Sequence, residues 1–408
     1  MSFESVKFED TDIKIIDGDR GKNYPSQNEY LEEGYCLFLN AKNVTDSGFK
    51  FNKTKFITKE KDNVLRKGKL KKGDVVLTTR GTVGNVAFYT NEIPYENIRI
   101  NSGMLIFRLE GKEEFLPEYI YWYFRSNLFQ SQIKQYISGS AQPQLPVKTI
   151  NKMKILKPDI KVQKKIVEII SSVNKKVLNN NKMNKTLEEI AQTIYKRWFV
   201  DFEFPNENGE PYKSSGGEMV YSEEMEKEIP EGWEVRYLGD KINIAYGKNL
   251  AKKNMKQKGY EVFSASGLVG YHDDFLYEEP QVLVVCRGSK SGKIFESNKK
   301  SFITNNCLVF ESSISDILNR FYLKYFLLNS NISQFVTGSA QPQITIKNIS
   351  KLNLLIPKKE VLNKFYKIIK SIDRKFRNNN NENKNLEDIR DTLLPKLMSG
   401  KIRVNKGD

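Results

Sequence analysis

The chain has 408 residues, enough for two or three globular units, and its 39% hydrophobic and 12% aromatic content excludes wholesale disorder. A formal charge of +16 points to a polyanionic partner, most often nucleic acid. Three widely spaced cysteines (Cys36, Cys286, Cys307) exclude a disulfide framework or CxxC metal site, and no apolar run approaches the ~18 residues of a membrane span.

The N-terminus, "MSFESVKFED", is charged and lacks the apolar centre of a signal peptide, which predicts a cytoplasmic protein with buried, reduced thiols. "GYCLFLNAKNV" (34–44) and "GDVVLTTRG" (73–81) read as short strands, the second ending at Gly. "PEYIYWYFRSNLFQSQI" (117–133) reads as an amphipathic helix leading into "GSAQPQ" (139–144). Next, Ile166, Ile170, Val173, Val177, Asn180, Asn184, Leu187, Ala191, Ile194 and Trp198 alternate spacings of four and three, the seam of a coiled coil. Such a helix of about 38 residues would be roughly 57 Å long. A polar stretch punctuated by Pro and Gly, "DFEFPNENGEPYKSSGGEM" (201–219), reads as a connector.

The same succession then returns. "GYEVFSASG" (259–267), "QVLVVCRG" (281–288) and "NRFYLKYFLLNSNISQF" (319–335) precede a second "GSAQPQ" (338–343), offset by 199 positions. A second seam follows at Phe365, Ile369, Ile372, Phe376, Asn379, Asn383, Leu386, Arg390, Leu393 and Leu397. Without a gap, "LNNNKMNKTLEEI" (178–190) lies on "RNNNNENKNLEDI" (377–389). A repeat this long means two copies of one domain-plus-helix unit. The predicted fold class is α+β, with two mixed α/β domains related by a pseudo-two-fold repeat and separated by two long antiparallel coiled-coil helices. Expected boundaries are a first domain at 1–158, a central helix at 159–200 and a connector at 201–229. A second domain follows at 230–357, then a C-terminal helix at 358–400 and a tail at 401–408. The asparagine-rich middle of each seam reads either as a solvated waist or as a set of hydrogen bonds that fix register.

Catalytic signatures are missing. In "CRGSKSGKIF" (286–295) three residues separate the glycines and Ile294 follows Lys293, which does not make a nucleotide P-loop. No two prolines are adjacent, so the Asp/Asn-Pro-Pro-aromatic loop of amino-methylating enzymes is absent. The only histidine, His272, lacks companions for zinc or for a Ser/His/Asp arrangement, and no PD…(D/E)xK nuclease pattern is present. The chain therefore reads as a non-catalytic recognition protein without a metal or cofactor of its own. Basic turns after strands suit DNA, where phosphate contacts position and base contacts specify. Shared Arg80 and Arg287 suit scaffold or phosphate roles, and Lys293 adds a cation to the second turn. The diverged Thr82, Asn85, Ser289 and Lys290 suit base reading. Gln142 and Gln341 of the repeated hexapeptide either touch the DNA backbone or satisfy local amides.

With "PEGWEVRYLGD" (230–240), "YEVFSASGLVGYHDD" (260–274), "VLVVCRGSKSGKIF" (282–295), "FITNNCLVF" (302–310) and "LEEIAQTIYKRWFVDF" (187–202) in this order, the chain closely resembles the specificity (S) subunits of type I restriction–modification enzymes. The resemblance covers nearly the whole chain and is weakest over "NYPSQNEYLEEGYCLFLNAKNV" (23–44). It implies a bacterial or archaeal cytoplasmic protein in which each domain reads one half of a bipartite, gapped site in double-stranded DNA. The helix pair would set the gap and dock two modification (methyltransferase) subunits. S-adenosylmethionine for adenine methylation would be bound by those partners, and ATP and Mg by a motor-nuclease subunit where restriction accompanies modification. Recognition for a methyltransferase without restriction, or a basic coiled-coil adaptor for acidic proteins or membrane surfaces, are the alternative readings.

Overall fold

The computed structural model describes residues 3–111, 114–137, 143–311, 318–338 and 341–404. It has two units, Met1–Asn180 with Asn381–Asp408, and Asn181–Asn380.

The first unit is built on a four-stranded antiparallel sheet in the order Ile13–Asp17, Met104–Leu109, Val75–Thr78, Val86–Phe88. Side chains alternate between faces, and both faces are covered. Val75, Leu77, Leu105 and Phe107 pack in one apolar cluster with the helix Pro117–Arg125. Val76, Ala87 and Ile106 pack in another with Leu37, Leu39, Ile98 and Ile100 of a second, smaller sheet. That smaller sheet has the order Phe56–Ile57, Cys36–Leu39, Ile98–Ile100, the last pair parallel. Two-sided burial explains why the central strand reads VVLT, without polar alternation; each buried Val or Leu contributes roughly 1.5–3 kcal/mol.

The helix expected over 117–133 is two helices, Pro117–Arg125 and Asn127–Tyr136. Ser126 breaks it: its hydroxyl donates to the Tyr123 carbonyl (2.6 Å) while its backbone is extended. Downstream, Lys154–Lys157 pairs with Glu4–Lys7 and delivers the chain to the long helix.

The second unit repeats this plan, with its four-stranded sheet ordered Asn243–Tyr246, Cys307–Glu311, Val282–Val285, Ile294–Glu296. Val282 and Val284 face one cluster, Leu283 and Val285 another. The helix Arg320–Asn329 stops at Ser330, whose hydroxyl donates to the Phe326 carbonyl (2.8 Å), and a 3-10 turn Ile332–Phe335 follows. Asn353–Ile356 pairs with Glu234–Tyr237 as its counterpart does in the first unit. The 201–229 segment carries structure of its own, a hairpin of Met219–Ser222 and Lys227–Pro230. Phe204 lies stacked between Tyr212 and Trp233, at 4.5 and 5.1 Å.

Two long helices, Ile160–Tyr195 and Lys359–Met398, have 36 and 40 residues, and a five-residue π turn, Lys196–Val200, extends the first. Each passes from one unit to the other within its asparagine run. In the first unit Ile166 and Ile170 share a cluster with Leu394, Leu397 and Met398, and Val177 is buried while Val173, Leu386, Arg390 and Leu393 are half-buried. There the Asn180 amide donates to the Glu382 carboxylate (2.8 Å) and to Asn383 Oδ1 (3.0 Å). In the second unit Ala191 and Tyr195 pack with Phe365 and Ile369, against which Ile194 and Ile372 are partly buried. Leu187 and Phe376 are half-buried, Trp198 is buried, Asn379 donates to Asn184 Oδ1 (2.8 Å) and Asn184 to Asn380 Oδ1 (2.7 Å). Asn180, Asn184, Asn379 and Asn383 are all buried, so the middle of each helix is held by side-chain amides and is not a frayed, solvated stretch.

Candidate nucleic-acid interface

In the first unit the turn between Val75–Thr78 and Val86–Phe88 is organised by Thr78. Its N–H donates to the Asn85 carbonyl (2.9 Å), its carbonyl accepts from Gly84 (3.0 Å), and its hydroxyl accepts from the Asn85 N–H (3.0 Å) and donates to the Thr82 carbonyl. Gly81 and Gly84 have φ of +73° and +100°, conformations that need glycine. Gly84 is further constrained because a Cβ there would meet Gln130 Oε1 at 2.9 Å. This frame leaves Arg80 and Thr82 exposed. Asn85 is half-buried, and its side-chain amide donates to the Val44 carbonyl (3.0 Å). The turn is thereby fastened to the 40–55 segment, which supplies no recurring sequence signal.

The equivalent turn of the second unit lies between Val282–Val285 and Ile294–Glu296. Val285 donates to the Lys293 carbonyl (2.8 Å) and Gly292 to the Val285 carbonyl (2.9 Å). Gly288 and Gly292 have φ of +82° and +92°. Arg287, Ser289, Lys290 and Lys293 are exposed, and Lys293 Nζ stands 5.7 Å from the Phe295 ring centre. With described residues, none of Arg80, Arg287, Lys290 and Lys293 forms an ion pair, so each turn presents uncompensated positive charge.

Both turns are pinned by the repeated hexapeptide, through a residue that the sequence did not single out. Its last glutamine lies beside the turn arginine, Gln144 with Arg80 and Gln343 with Arg287. Leu145 donates to the Thr79 carbonyl (3.0 Å), and Ile344 to the Cys286 carbonyl (3.0 Å). In the second unit Gly288 donates to the Pro342 carbonyl (2.9 Å), and the Ser291 hydroxyl lies 2.9 Å from that oxygen and 2.8 Å from the Gly288 carbonyl. Gln341 is exposed, and Gly338 has φ +87° with Gln341 O 2.7 Å from where a Cβ would be. Gln142 lies outside the described residues.

The thiols near these strands are fully buried. Burial pushes Cys307 up to about 12 and raises Cys286, against the opposing pull of Arg287. Among the described residues no group of three or more His, Cys, Asp or Glu is placed to hold a metal ion, and no helix is long and apolar enough to cross a membrane. Glycine-held turns with exposed cations are suited to binding phosphates and base edges.

A family model described as the type I restriction modification DNA specificity domain matches residues 5–212 and 230–388. The chain is 29% identical to the type I restriction enzyme MjaIX specificity subunit of Methanocaldococcus jannaschii, covering 82% of this chain and 79% of that one. It is 24% identical to the HindI specificity subunit of Haemophilus influenzae, over 94% of this chain and 98% of the other. Among solved structures, the S subunit of a type I restriction–modification system from M. genitalium matches with a TM-score of 0.56 at 16% identity, covering 97% and 96% of the two chains.

Proposed function

The chain belongs to the type I restriction–modification DNA specificity family, and from that premise we propose that each of its two units reads one half of a bipartite, gapped site in double-stranded DNA. The observation that carries this reading is the matched pair of turns. In each unit an exposed arginine with no ion-pair partner among the described residues stands on a glycine-shaped turn pinned to the same hexapeptide, beside residues that differ between the units. Common parts suit positioning on phosphates; differing parts (Thr82 against Ser289 and Lys290) suit two different half-sites.

The long helices act in this proposal as an antiparallel coiled coil relating the units by a pseudo-two-fold. Supporting it, Asn180 bonds to Asn383, while Asn184 bonds to Asn379, so rising numbers in one helix meet falling numbers in the other. The pair sets the gap and offers a docking surface for two methyltransferase subunits, which bind S-adenosylmethionine and methylate adenine. A motor-nuclease subunit using ATP and Mg joins where restriction accompanies modification. The chain contributes recognition and no catalytic group, and works in the cytoplasm.

The experiment is a genome-wide adenine-methylation map of cells expressing the chain with its modification partner, against cells with the partner alone. A new motif of two short defined halves around a fixed gap is expected. An ungapped motif refutes the two-reader architecture, and an unchanged map despite an assembled complex refutes DNA reading by these units. On the motif so found, Arg80→Ala and Arg287→Ala should each weaken binding for all sequences and lower the slope of log affinity against log salt by about one. A change of methylated motif in either variant would instead make that arginine a base reader.

A further inference from the structure

Resting on the DNA-reading proposal, a second element of the second unit carries a more specific assignment. Tyr260–Ser264 and Gly267–His272 form a β-hairpin whose outer strand is the edge of a three-stranded sheet. Its register slips between Val262 and Phe263, which pair with Gly270 and Leu268 and leave Val269 without an opposite residue. Such a bulge re-aims side chains. Phe263 is buried with Leu283, Val285 and Ile303, while Leu268 and Val269 are 46% and 36% exposed.

Two features make this apolar pair more than scattered surface. First, the hairpin end and the Arg287 turn share one anchor. Ser264 Oγ lies 2.9 Å from Thr304 Oγ1 and accepts from Asn306 Nδ2 (3.2 Å), and the Asn306 carbonyl accepts from the N–H of Cys286, directly before Arg287 (2.9 Å). Second, the neighbouring 248–258 segment carries Lys248, Lys252, Lys253, Lys256 and Lys258, all exposed, and no acidic residue. It is tied to the same sheet, with Lys248 N–H on the Ile303 carbonyl (2.9 Å) and Lys256 N–H on the Tyr271 carbonyl (2.8 Å). Of these lysines Lys256 is paired, with Asp273 at 3.2 Å. An apolar edge framed by lysines matches a surface that is apolar in spots within a field of negative charge.

We propose that Leu268 and Val269 read thymine, by packing on its 5-methyl group in the major groove of the half-site bound by the second unit. Strands of a sheet can read the major groove, here by the exposed edge strand of the hairpin, and the thymine methyl is the one apolar feature that the base edges offer there. Lysines along the 248–258 segment would hold the flanking phosphates.

The test uses the complex with its methyltransferase partner and a duplex carrying the methylated motif, with each thymine replaced in turn by deoxyuridine, which removes only the methyl. The wild-type complex should bind about fourfold more weakly at one or two positions of one half-site, the size of one buried methyl. In L268S/V269S, which alters only exposed side chains, those positions should become indifferent to the replacement. Deoxyuridine tolerated throughout by the wild type, or equal sensitivity in the variant, overturns the assignment. Loss of assembly with the methyltransferase while deoxyuridine is still discriminated would make the pair a protein contact and overturn it too. Absence of any methylated motif overturns the DNA-reading proposal itself and this inference with it.

Discussion

Arg99→Ala is expected to cost the first unit about 3–5 kcal/mol, the range for removing one partner of a buried ion pair. Arg99 and Asp62 are 5% and 1% exposed and face each other directly, Nε to Oδ1. The guanidinium also donates to the carbonyls of Lys67 (2.7 Å), Asp62 (2.7 Å) and Leu65 (3.0 Å), and Lys69 Nζ reaches Asp62 at 2.5 Å. Removal leaves the buried carboxylate with Lys69 as its one remaining cation and takes the guanidinium donors from three carbonyls. In thermal unfolding the loss corresponds to a drop of roughly 6–20 °C for a unit of this size.

Acid titration gives a second readout. Burial alone would raise the Asp62 carboxyl, but Lys69 and Arg99 together hold it below its ordinary value. A folded-state value below the unfolded one, about 3.9, means stabilisation that is complete above that value and is lost as pH falls through the folded value. Wild type should lose this contribution below about pH 4, whereas Asp62→Asn, weaker at neutral pH, should lack that acid arm. An Arg99→Ala unit within about 1 kcal/mol of wild type would contradict the assignment.

Which features the sequence disclosed follows from how local their causes are. The long helices were legible because a four-three spacing is a local pattern, carried by ten positions in each copy without Pro until Pro395. The strands VVLT and VLVV were legible as buried runs bounded by Gly and turn residues. Sequence could not reveal the break at Ser126, since a serine hydroxyl ends a helix only where its own backbone turns extended. At the turns, identity between copies drew attention to Gln142 and Gln341, while the residues beside Arg80 and Arg287 are Gln144 and Gln343, chosen by strand register that no spacing encodes. Asn85 looked free to read a base, yet its amide reaches Val44, 41 residues away. Contacts of that separation are tertiary, and leave no periodic trace.

Arg320→Ala should destabilise the second unit by a similar amount, about 3–5 kcal/mol, for a related reason with a different consequence. Its guanidinium, 18% exposed, bonds Glu296 through one nitrogen and Asp373 through another (2.7 Å), and Arg377 also reaches Asp373 (2.9 Å). Beside it Lys324 meets Glu188 (3.0 Å) and Glu296 (3.3 Å). Burial alone would push the Lys324 ammonium down, yet Glu296 and its neighbours hold it well above its usual value, so the lysine stays charged. Through these six side chains the strand Ile294–Glu296, which leaves the Arg287 turn, is tied to both long helices within its unit. An apolar replacement of Glu296, Arg320 and Asp373 together would fill the same space and remove the most buried charges, with Lys324 still paired to Glu188. Glu296→Leu, Arg320→Met and Asp373→Leu combined should therefore recover stability to within about 1 kcal/mol of wild type, although Arg320→Ala alone does not. If the network's purpose is to aim the turn, the triple variant, stable as it is, should discriminate single mismatches in one half-site less sharply, measured as methylation rates on a panel of mutated duplexes. Full discrimination in the stable triple variant would show that the turn is aimed by its hexapeptide and glycines alone, and that the ionic network serves folding.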